Sequence, residues 1–524
     1  MELTRLLKGV ETLEVHPAAG GATGNGAATN TPITGIAYDS RQVRPGFLFA
    51  AIQGEKLDGH KFIPQAVASG AVAVLSERPR ETGVRGLWVR VPHARRALAL
   101  TAANFYAQPV RALRLIGITG TNGKTTTSYL LESILRAAGH KAGLFGTIEY
   151  HTAAGVQEAP NTTPESLDLQ RFLAELRDAG AGWAVMEVSS HGLAFDRVWG
   201  CPFAAAVFTN LARDHLDFHQ TVENYFEAKK QLFLGCGAEP PRVAVLNADD
   251  ARCADLKAVS KGKVVLYGLE RAEGTVTVSR PRLTSSGIEF TLVTPEGSVG
   301  VESSLVGRSN LYNLLAAGAT GYGLGFPLDT IASGFRALER VPGRFERVDA
   351  GQPFSVVVDF AHTDLAFTNL LHSARELASG RVIIVFGSGG DRDRTKRPVM
   401  GEIAGRLADV TILTTDNPRS EDPLRIINDI VVGVQKASGS YEIVLDREEA
   451  FARAFDLARE GDIVLLAGKG HQNTQVFRDR TEPWSETEVA RRLLARRYGS
   501  GGSSDPEAPT TEVKGLSAAS CSGR

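Results

Sequence analysis

The sequence predicts an α/β protein of three domains: a small N-terminal α/β domain, a central parallel-sheet domain around a phosphate loop, and a C-terminal Rossmann-like domain. Three observations carry this. Short apolar, β-branched runs alternate with helical patterns, which builds mostly parallel sheets covered on both faces. A chain of 524 residues is long enough for about three cores. Val341-Pro342-Gly343-Arg344 supplies the punctuation expected between two such alternations.

Bulk properties exclude several classes. Lys+Arg 58 against Asp+Glu 59 leaves a net charge of −1, so no global field draws the chain to nucleic acid or to a membrane. The four cysteines, Cys201, Cys236, Cys253 and Cys521, lack metal-like spacing and fit a reducing compartment. No apolar run approaches the ~20 residues of a membrane span, and the start lacks a signal-type apolar core. The expectation is a cytoplasmic protein, monomeric, with no nucleic-acid partner and no membrane insertion.

The first domain is expected over residues 1–109, with strands near 47–52, 71–75 and 87–91. Residues 18–32, rich in Gly, Ala, Thr and Asn without periodicity, read as a mobile surface loop. Asp39-Ser40-Arg41 reads, on chemistry alone, as a capping turn before a strand. The central domain is expected over 110–342, with strands at 113–119, 183–188, 204–209 and 242–247 and antiparallel hairpins over 272–306. The third domain, 343–498, has strands at 354–360, 381–386, 410–415 and 462–467. The Ser-, Gly- and Pro-rich tail, 499–524, reads as disordered.

The run from Leu113 to Thr127 organises the chain. An apolar strand ends in Gly120-Thr121-Asn122-Gly123-Lys124-Thr125-Thr126, and a helical pattern over 128–138 follows. Strand, glycine-rich loop and helix make a phosphate cradle: backbone N–H groups turn inward and the helix N-terminus adds positive potential. Lys124 is placed for the β/γ-phosphates and the Thr125 hydroxyl for Mg²⁺. The loop is shorter than the common pattern, since Ile118 stands where a first Gly belongs. A nucleoside triphosphate site follows.

Ligands of open parallel sheets gather at the strands' carboxyl ends, and polar residues stand there. Glu187 and Ser189 close one strand; Asn210, Asp214 and His215 follow another. Beside a phosphate loop, Glu187 and His215 suit Mg²⁺ ligation. Asn161-Thr162-Thr163-Pro164 reads as a helix start, with Thr163 the cap, Pro164 at the first position and the Thr162 hydroxyl left for substrate. In the third domain, Gly387 to Arg394, Asp416-Asn417-Pro418-Arg419 and Gly468-Lys469-Gly470-His471-Gln472 follow three strands. Arg392, Asn417, Arg419 and Gln472 should therefore surround one pocket suited to a carboxylate.

In this order the motifs resemble the Mur ligases over about residues 36–485, and within them the members that add the third residue of the peptidoglycan precursor. Further matching elements are Glu187-Val188-Ser189-Ser190-His191-Gly192, Asp214-His215-Leu216-Asp217 and Lys396-Arg397-Pro398. The short phosphate loop is this family's own form.

The resemblance implies an ADP-forming amide ligase with a central P-loop ATPase domain. It implies ATP as co-substrate and Mg²⁺ as cofactor, and the joining of meso-diaminopimelate to UDP-N-acetylmuramoyl-L-alanyl-D-glutamate through an acyl phosphate. It implies that Ser40 holds the UDP end, and that Asn161, Thr162, Thr163, Ser189 and Arg197 hold the muramoyl dipeptide. Gly120 to Thr126 would cradle ATP with Asn310, Arg344 and Asp359. Lys124, Glu187, His215 and Lys229 would be catalytic. Lys229, of Ala228-Lys229, would be carbamylated and ligate Mg²⁺ with Thr125, Glu187 and His215; Lys230 is the lesser alternative. Arg392, Asp416, Asn417, Pro418, Arg419, Gly468 and Gln472 would bind diaminopimelate.

Two departures stand out. Members commonly read Tyr-Ala-His-Thr-Pro-Asp where this chain has Phe360-Ala361-His362-Thr363-Asp364-Leu365. They usually carry Glu after Gly-Lys-Gly-His, where Gln472 stands; its amide still offers an acceptor oxygen. Lysine or another diamino acid as third residue, a folylpolyglutamate-type ligase, and a P-loop switch or transport ATPase are the rival readings. The last leaves the third-domain arginines and Asn161-Thr162-Thr163 without employment.

Overall fold

The computed structural model describes residues 1–17, 31–54, 57–80, 86–270, 275–284 and 286–498. Most of the 18–32 loop, at 18–30, and the 499–524 tail lie outside them.

The first sheet has five strands in the order Glu14–His16, Leu87–Arg90, Ala73–Ser76, Phe47–Ala50, Gly35–Ala37. All pairs are parallel except the first. The two strands missed from sequence are three residues long, too short for a period to register. Gly35 has a packing reason: a Cβ there would lie 2.4 Å from the Phe47 ring. Asp39 caps a 3₁₀ turn, Ser40–Gln42, by accepting from the Arg41 N–H, as the capping reading expects.

The central sheet runs Lys263–Tyr267, Val243–Asn247, Phe203–Phe208, Arg114–Thr119, Trp183–Glu187, Ala142–Phe145, Glu149–Thr152, Gly155–Glu158. Six strands are parallel; the last two fold back as an antiparallel hairpin. Alternate residues feed two cores. Ile116, Val185 and Val207 pack with Leu130 and Leu314 from helices Lys124–Ala137 and Arg308–Gly323. Leu115, Met186 and Phe208 face Phe172 and Phe233 from helices Ser166–Asp178 and Val222–Leu234. This two-faced burial explains why the strands read as continuous apolar runs. The expected hairpins are a three-stranded sheet, Thr277–Thr284, Gly287–Thr294 and Gly297–Ser303, whose Phe290 and Leu292 join the first of these cores.

The third sheet runs Glu346–Arg347, Ser355–Asp359, Ile463–Ala467, Val382–Phe386, Val410–Leu413, Tyr441–Ile443, parallel throughout except at its first edge.

Two helix starts differ from expectation. The phosphate-loop helix begins at Lys124, because Gly123 in the left-handed region turns the chain directly into it. The helix after Pro164 begins at Ser166 with Glu165 as cap. Thr163 does not cap it: its hydroxyl donates 2.9 Å to the Glu187 carbonyl and accepts from the Ser189 N–H at 3.0 Å. A tertiary partner outcompetes the local one.

Side chains tie the sheets together. Tyr38 Oη donates to Asp168 at 2.7 Å, Arg95 meets Glu165 at 3.2 Å, and Arg96 lies 3.9 Å over Trp199. Lys396 of the third domain reaches Asp214 of the central one at 3.2 Å. The central hairpin is pinned to the phosphate-loop helix by His151, whose ring nitrogens meet Glu132 at 2.7 Å and Glu149 at 2.9 Å. Burial disfavours the charged ring, but hydrogen bonds to Glu132 and Glu149 outweigh it and raise the pKa to about 9.

The raised folded pKa sets a sign. The stabilisation is fully present below the unfolded value of 6.5 and fades as pH rises through about 9. His151→Gln should therefore lower the melting temperature at pH 6, by ~2–4 °C, and the gap to wild type should shrink by pH 10. A pH-independent gap would refute the ion-pair account.

Candidate active site

Three parallel strands end together: Glu187 is in register with Ile118, and Phe208 with Thr119. The phosphate loop rises from this rim. At Gly120, φ is +144° and a Cβ would lie 1.9 Å from Thr209 Oγ1; at Gly123, φ is +87° and a Cβ would lie 2.4 Å from Asn313 Oδ1. Only glycine fits either position. The neighbouring strand's end braces the loop: Asn210 accepts from the Thr121 and Asn122 N–H groups, and Thr209 donates 2.7 Å to the Asn122 carbonyl. Helix Lys124–Ala137 has no side-chain cap, so its first N–H groups remain available to an anion.

Two amino groups converge beneath this loop. Lys124 Nζ donates to the carbonyls of Gly120 at 3.1 Å and Thr121 at 2.9 Å. Lys229, 1% exposed, donates 2.7 Å to the same Gly120 carbonyl and lies 4.3 Å over the Tyr225 ring. Burial, then the charge of Lys124, pushes the Lys229 pKa well below the usual lysine range, against the pull of Asp214. Its surroundings thereby favour the neutral, nucleophilic amine. Lys230 instead pairs with Glu227 on the helix surface.

Glu187 is fully buried at its strand end and accepts from the Thr147 N–H at 2.8 Å and its hydroxyl at 3.0 Å. His215 has φ +52° and lies 3.4 Å from Asp214. Burial, reinforced by His191 and the two lysines, pushes His215 down to about 4, so its imidazole is neutral. Burial opposes ionisation of Asp214, yet His215, Lys396 and His362 hold it at about 2.

A cleft of about 380 Å³ opens above the loop, lined by Thr121–Thr126, Thr162, Glu187, Ser189, His215, Asn310, Arg344 and Asp359. Arg344 crosses from the third domain, donating 3.3 Å to Thr125 Oγ1 with its guanidinium 4.7 Å over the Phe360 ring. Asp359 accepts from the Phe345 and Ala361 N–H groups and so shapes the turn carrying Arg344. The Phe360 substitution thus keeps a ring under Arg344. Asp364 opens helix Asp364–Leu377, capped by Thr363.

A second cleft, about 630 Å³, lies across the junction and is lined by Thr147, Glu149, Gly343, Asn417, Arg419, His471 and Gln472, among others. Arg419 donates 2.7 Å to the Gly390 carbonyl. Asn417 Oδ1 accepts from Lys469 Nζ at 2.8 Å and the Val476 N–H at 2.9 Å. Its Nδ2 donates to Gln472 Oε1 at 2.9 Å. Asp416 lies 3.6 Å from Lys469, and a Cβ on Gly468 would approach the Asp416 carboxylate to 3.0 Å. Gly390 must be glycine because the Pro418 carbonyl lies 1.9 Å from a Cβ there.

Other expected residues fall elsewhere. Arg392 does not line this cleft: it is exposed and donates 3.2 Å to the Asp391 carbonyl, beyond a left-handed turn at Asp391. Ser40 is buried in the first domain, donating to Gln65 at 3.0 Å, and lines neither cleft. Asn161 is exposed, with its carbonyl accepting from Tyr150 Oη. Arg197 donates to Glu165 at 3.0 Å and to the Thr163 carbonyl at 2.9 Å. The sequence reading missed Thr147, which follows the unrecognised strand Ala142–Phe145, and Arg95, which had no motif to mark it.

The sequence matches the Mur ligase family catalytic domain over residues 32–106, the Mur ligase middle domain over 118–321, and the Mur ligase glutamate ligase domain over 343–470. It is 51% identical over 472 residues to the UDP-N-acetylmuramoyl-L-alanyl-D-glutamate–2,6-diaminopimelate ligase of Solibacter usitatus (strain Ellin6076), covering 90% of this chain and 94% of that protein. The chain belongs to the Mur ligase family. The same-named protein of Geobacillus thermodenitrificans (strain NG80-2) is 46% identical over 472 residues, covering 89% of this chain and 96% of that one. A solved structure of a UDP-N-acetylmuramoyl-L-alanyl-D-glutamate–2,6-diaminopimelate ligase superposes with a TM-score of 0.67 at 32% identity, covering 95% and 100% of the two chains.

Gly120→Ala should be far more damaging to phosphate binding than to stability, since the clash falls on the loop and not on a core. Titration with a nucleoside triphosphate should show affinity reduced by at least ~10-fold, with melting lowered by a few degrees. Unchanged affinity would show that the loop does not contact phosphate.

Proposed function

We propose that this Mur ligase couples ATP hydrolysis to attachment of meso-diaminopimelate to UDP-N-acetylmuramoyl-L-alanyl-D-glutamate, in cytoplasmic synthesis of peptidoglycan precursors, acting as a monomer. One observation carries the reading. The phosphate-loop cleft and the arginine-bearing cleft meet at the Gly343–Arg344 junction and share Thr147. An acyl phosphate made on one side is within reach of an amine presented from the other.

The chemistry follows from the residues. A free carboxylate is a poor acyl donor, so one of its oxygens takes the γ-phosphoryl group and ADP leaves. Lys124 and the helix N-terminus stabilise charge on the moving phosphoryl. The amine then attacks the carbonyl carbon, phosphate departs, and the amine's proton is lost to a base. Closure of the third domain over the central one, along the Lys396–Asp214 contact, excludes water from the acyl phosphate. Residues 1–109 carry the UDP end through Ser40, residues 110–342 the nucleotide, and residues 343–498 the incoming amino acid.

Mg²⁺, when bound, would neutralise phosphate charge. Among the described residues no group of three or more His, Cys, Asp or Glu side chains could hold a metal ion. The donors nevertheless suit a hard cation completed by phosphate oxygens: the Thr125 hydroxyl, the Glu187 carboxylate and the neutral His215 ring. Lys229 supplies the remaining anion if its amine adds to carbon dioxide, releasing a proton and leaving a carbamate. Burial lowers the pKa of this amine and so favours the neutral form that reacts. Lys229→Ala should lose nearly all ligase activity, and a small carboxylic acid in the buffer should restore part of it. Full activity without carbon dioxide or rescue would rule out the carbamate.

The amino-acid specificity rests on Arg419. Diaminopimelate differs from lysine by a distal carboxylate, which a guanidinium can grip bidentately. Lysine would bring an ammonium towards that guanidinium. In competition for ligation with purified enzyme, UDP-muramoyl dipeptide and ATP, diaminopimelate should win by at least ~100-fold, and Arg419→Ala should erase most of that margin. Equal use of lysine or ornithine would overturn the assignment.

A further inference from the structure

The two amides at the floor of the second cleft have a determinable polarity. Asn417 sits between two donors, the Val476 backbone N–H and Lys469 Nζ, both on the same side-chain atom. A backbone N–H and an amino group can only be met by an acceptor, so that atom is the amide oxygen. The other Asn417 atom is therefore its NH₂, and it donates to Gln472. The Gln472 atom it meets must be Oε1. Gln472 thus turns its oxygen towards Asn417, and its Nε2 makes no hydrogen bond among the described residues. The sequence reading has Gln472 offer an acceptor to an ammonium group; here that oxygen accepts from Asn417.

Two guanidiniums of the cleft share that polarity. Arg419 uses one guanidinium nitrogen on Gly390 and keeps the rest of its fork. Arg491 also lines the cleft. Four carboxylates also line the cleft, two held by protein donors and two open to solvent. Glu149 accepts from Tyr129 and His151, and Glu346 from the Gly343 N–H and Arg340. Glu158 and Glu488 are exposed.

We propose that Gln472 is a specificity-determining donor: with Arg419 it reads the distal carboxylate of the incoming amino acid, and the distal amine is not read by residue 472. The inference rests on the diaminopimelate ligase reading and deepens it. A pair of donors at Gln472 and Arg419 gains from a carboxylate and nothing from an ammonium. Discrimination at the distal centre is then one-sided.

The test compares three amino acids with the full chain: meso-diaminopimelate, 2-aminopimelate, which keeps the distal carboxylate and lacks the amine, and L-lysine, which keeps the amine and lacks the carboxylate. Affinity by calorimetry, with UDP-muramoyl dipeptide and a non-hydrolysable ATP analogue present, is measured beside kcat/KM. Loss of the amine should weaken binding by less than ~10-fold, and loss of the carboxylate by more than ~100-fold. Gln472→Glu keeps the Asn417 bond and turns an acceptor into the cleft, so the cost of losing the amine should rise at least ~10-fold. Asn417→Asp forces Gln472 to donate inward and expose its oxygen, and should move the same ratio in the same direction. If losing the amine costs wild type as much as losing the carboxylate, or if neither variant moves the ratio, the proposal is wrong. A chain that binds the series in the expected order but ligates none of it would overturn the function and leave the polarity standing.

Discussion

The site depends on basic side chains buried together at one rim. Lys124 and Lys229 share one carbonyl oxygen, that of Gly120, and Arg344 lies against Thr125 on the same rim. Desolvation lowers the pKa of both lysines, and the charge of Lys124 depresses Lys229 further. Such an arrangement is costly unless anions complete it. Nucleotide phosphates on one side and a carbamate on the other would do so, which makes the loop's strain and the lysines' convergence parts of one device.

Around that centre the fold is an instrument for convergence. Parallel register brings Thr119, Glu187 and Phe208 to one rim, and short polar loops from each strand end brace one another. The third domain supplies what the central one lacks. Arg344 enters the nucleotide cleft, Lys396 holds Asp214, and the Asn417–Lys469–Gln472 network floors the second cleft. Buried ion pairs fix that floor: Arg397 clamps Glu421, Asp429 and the Gly389 carbonyl, while Arg447 meets Glu486 at 2.6 Å. Paired through their terminal nitrogens, these buried arginines trade little stability for a defined geometry.

Most of the chemistry and the layout of the sheets was legible in the sequence, for local reasons. Gly120, Gly123 and Lys124 act within one turn, so their spacing carries their role. Strands buried on both faces announce themselves as apolar runs. Edge strands such as Glu14–His16 and Tyr441–Ile443 are short and half-exposed, and gave no such signal. Asp39 was legible as a cap because its partner is two residues away.

What the sequence by itself determined is therefore the inventory: a phosphate loop, metal-capable groups at strand ends, arginines after the third domain's strands, and the family they resemble. Tertiary structure alone decided how each group is used. Lys229 meets a carbonyl 109 positions away, Thr163 leaves its own helix for the Glu187 strand, Arg392 lies exposed and donates to the Asp391 carbonyl, and Gln472 faces the cleft as a donor because Asn417 meets its oxygen. The physical reason is common to all four. Protonation state and hydrogen-bond polarity are set by burial and by partners distant in sequence, and residue type alone leaves both undetermined.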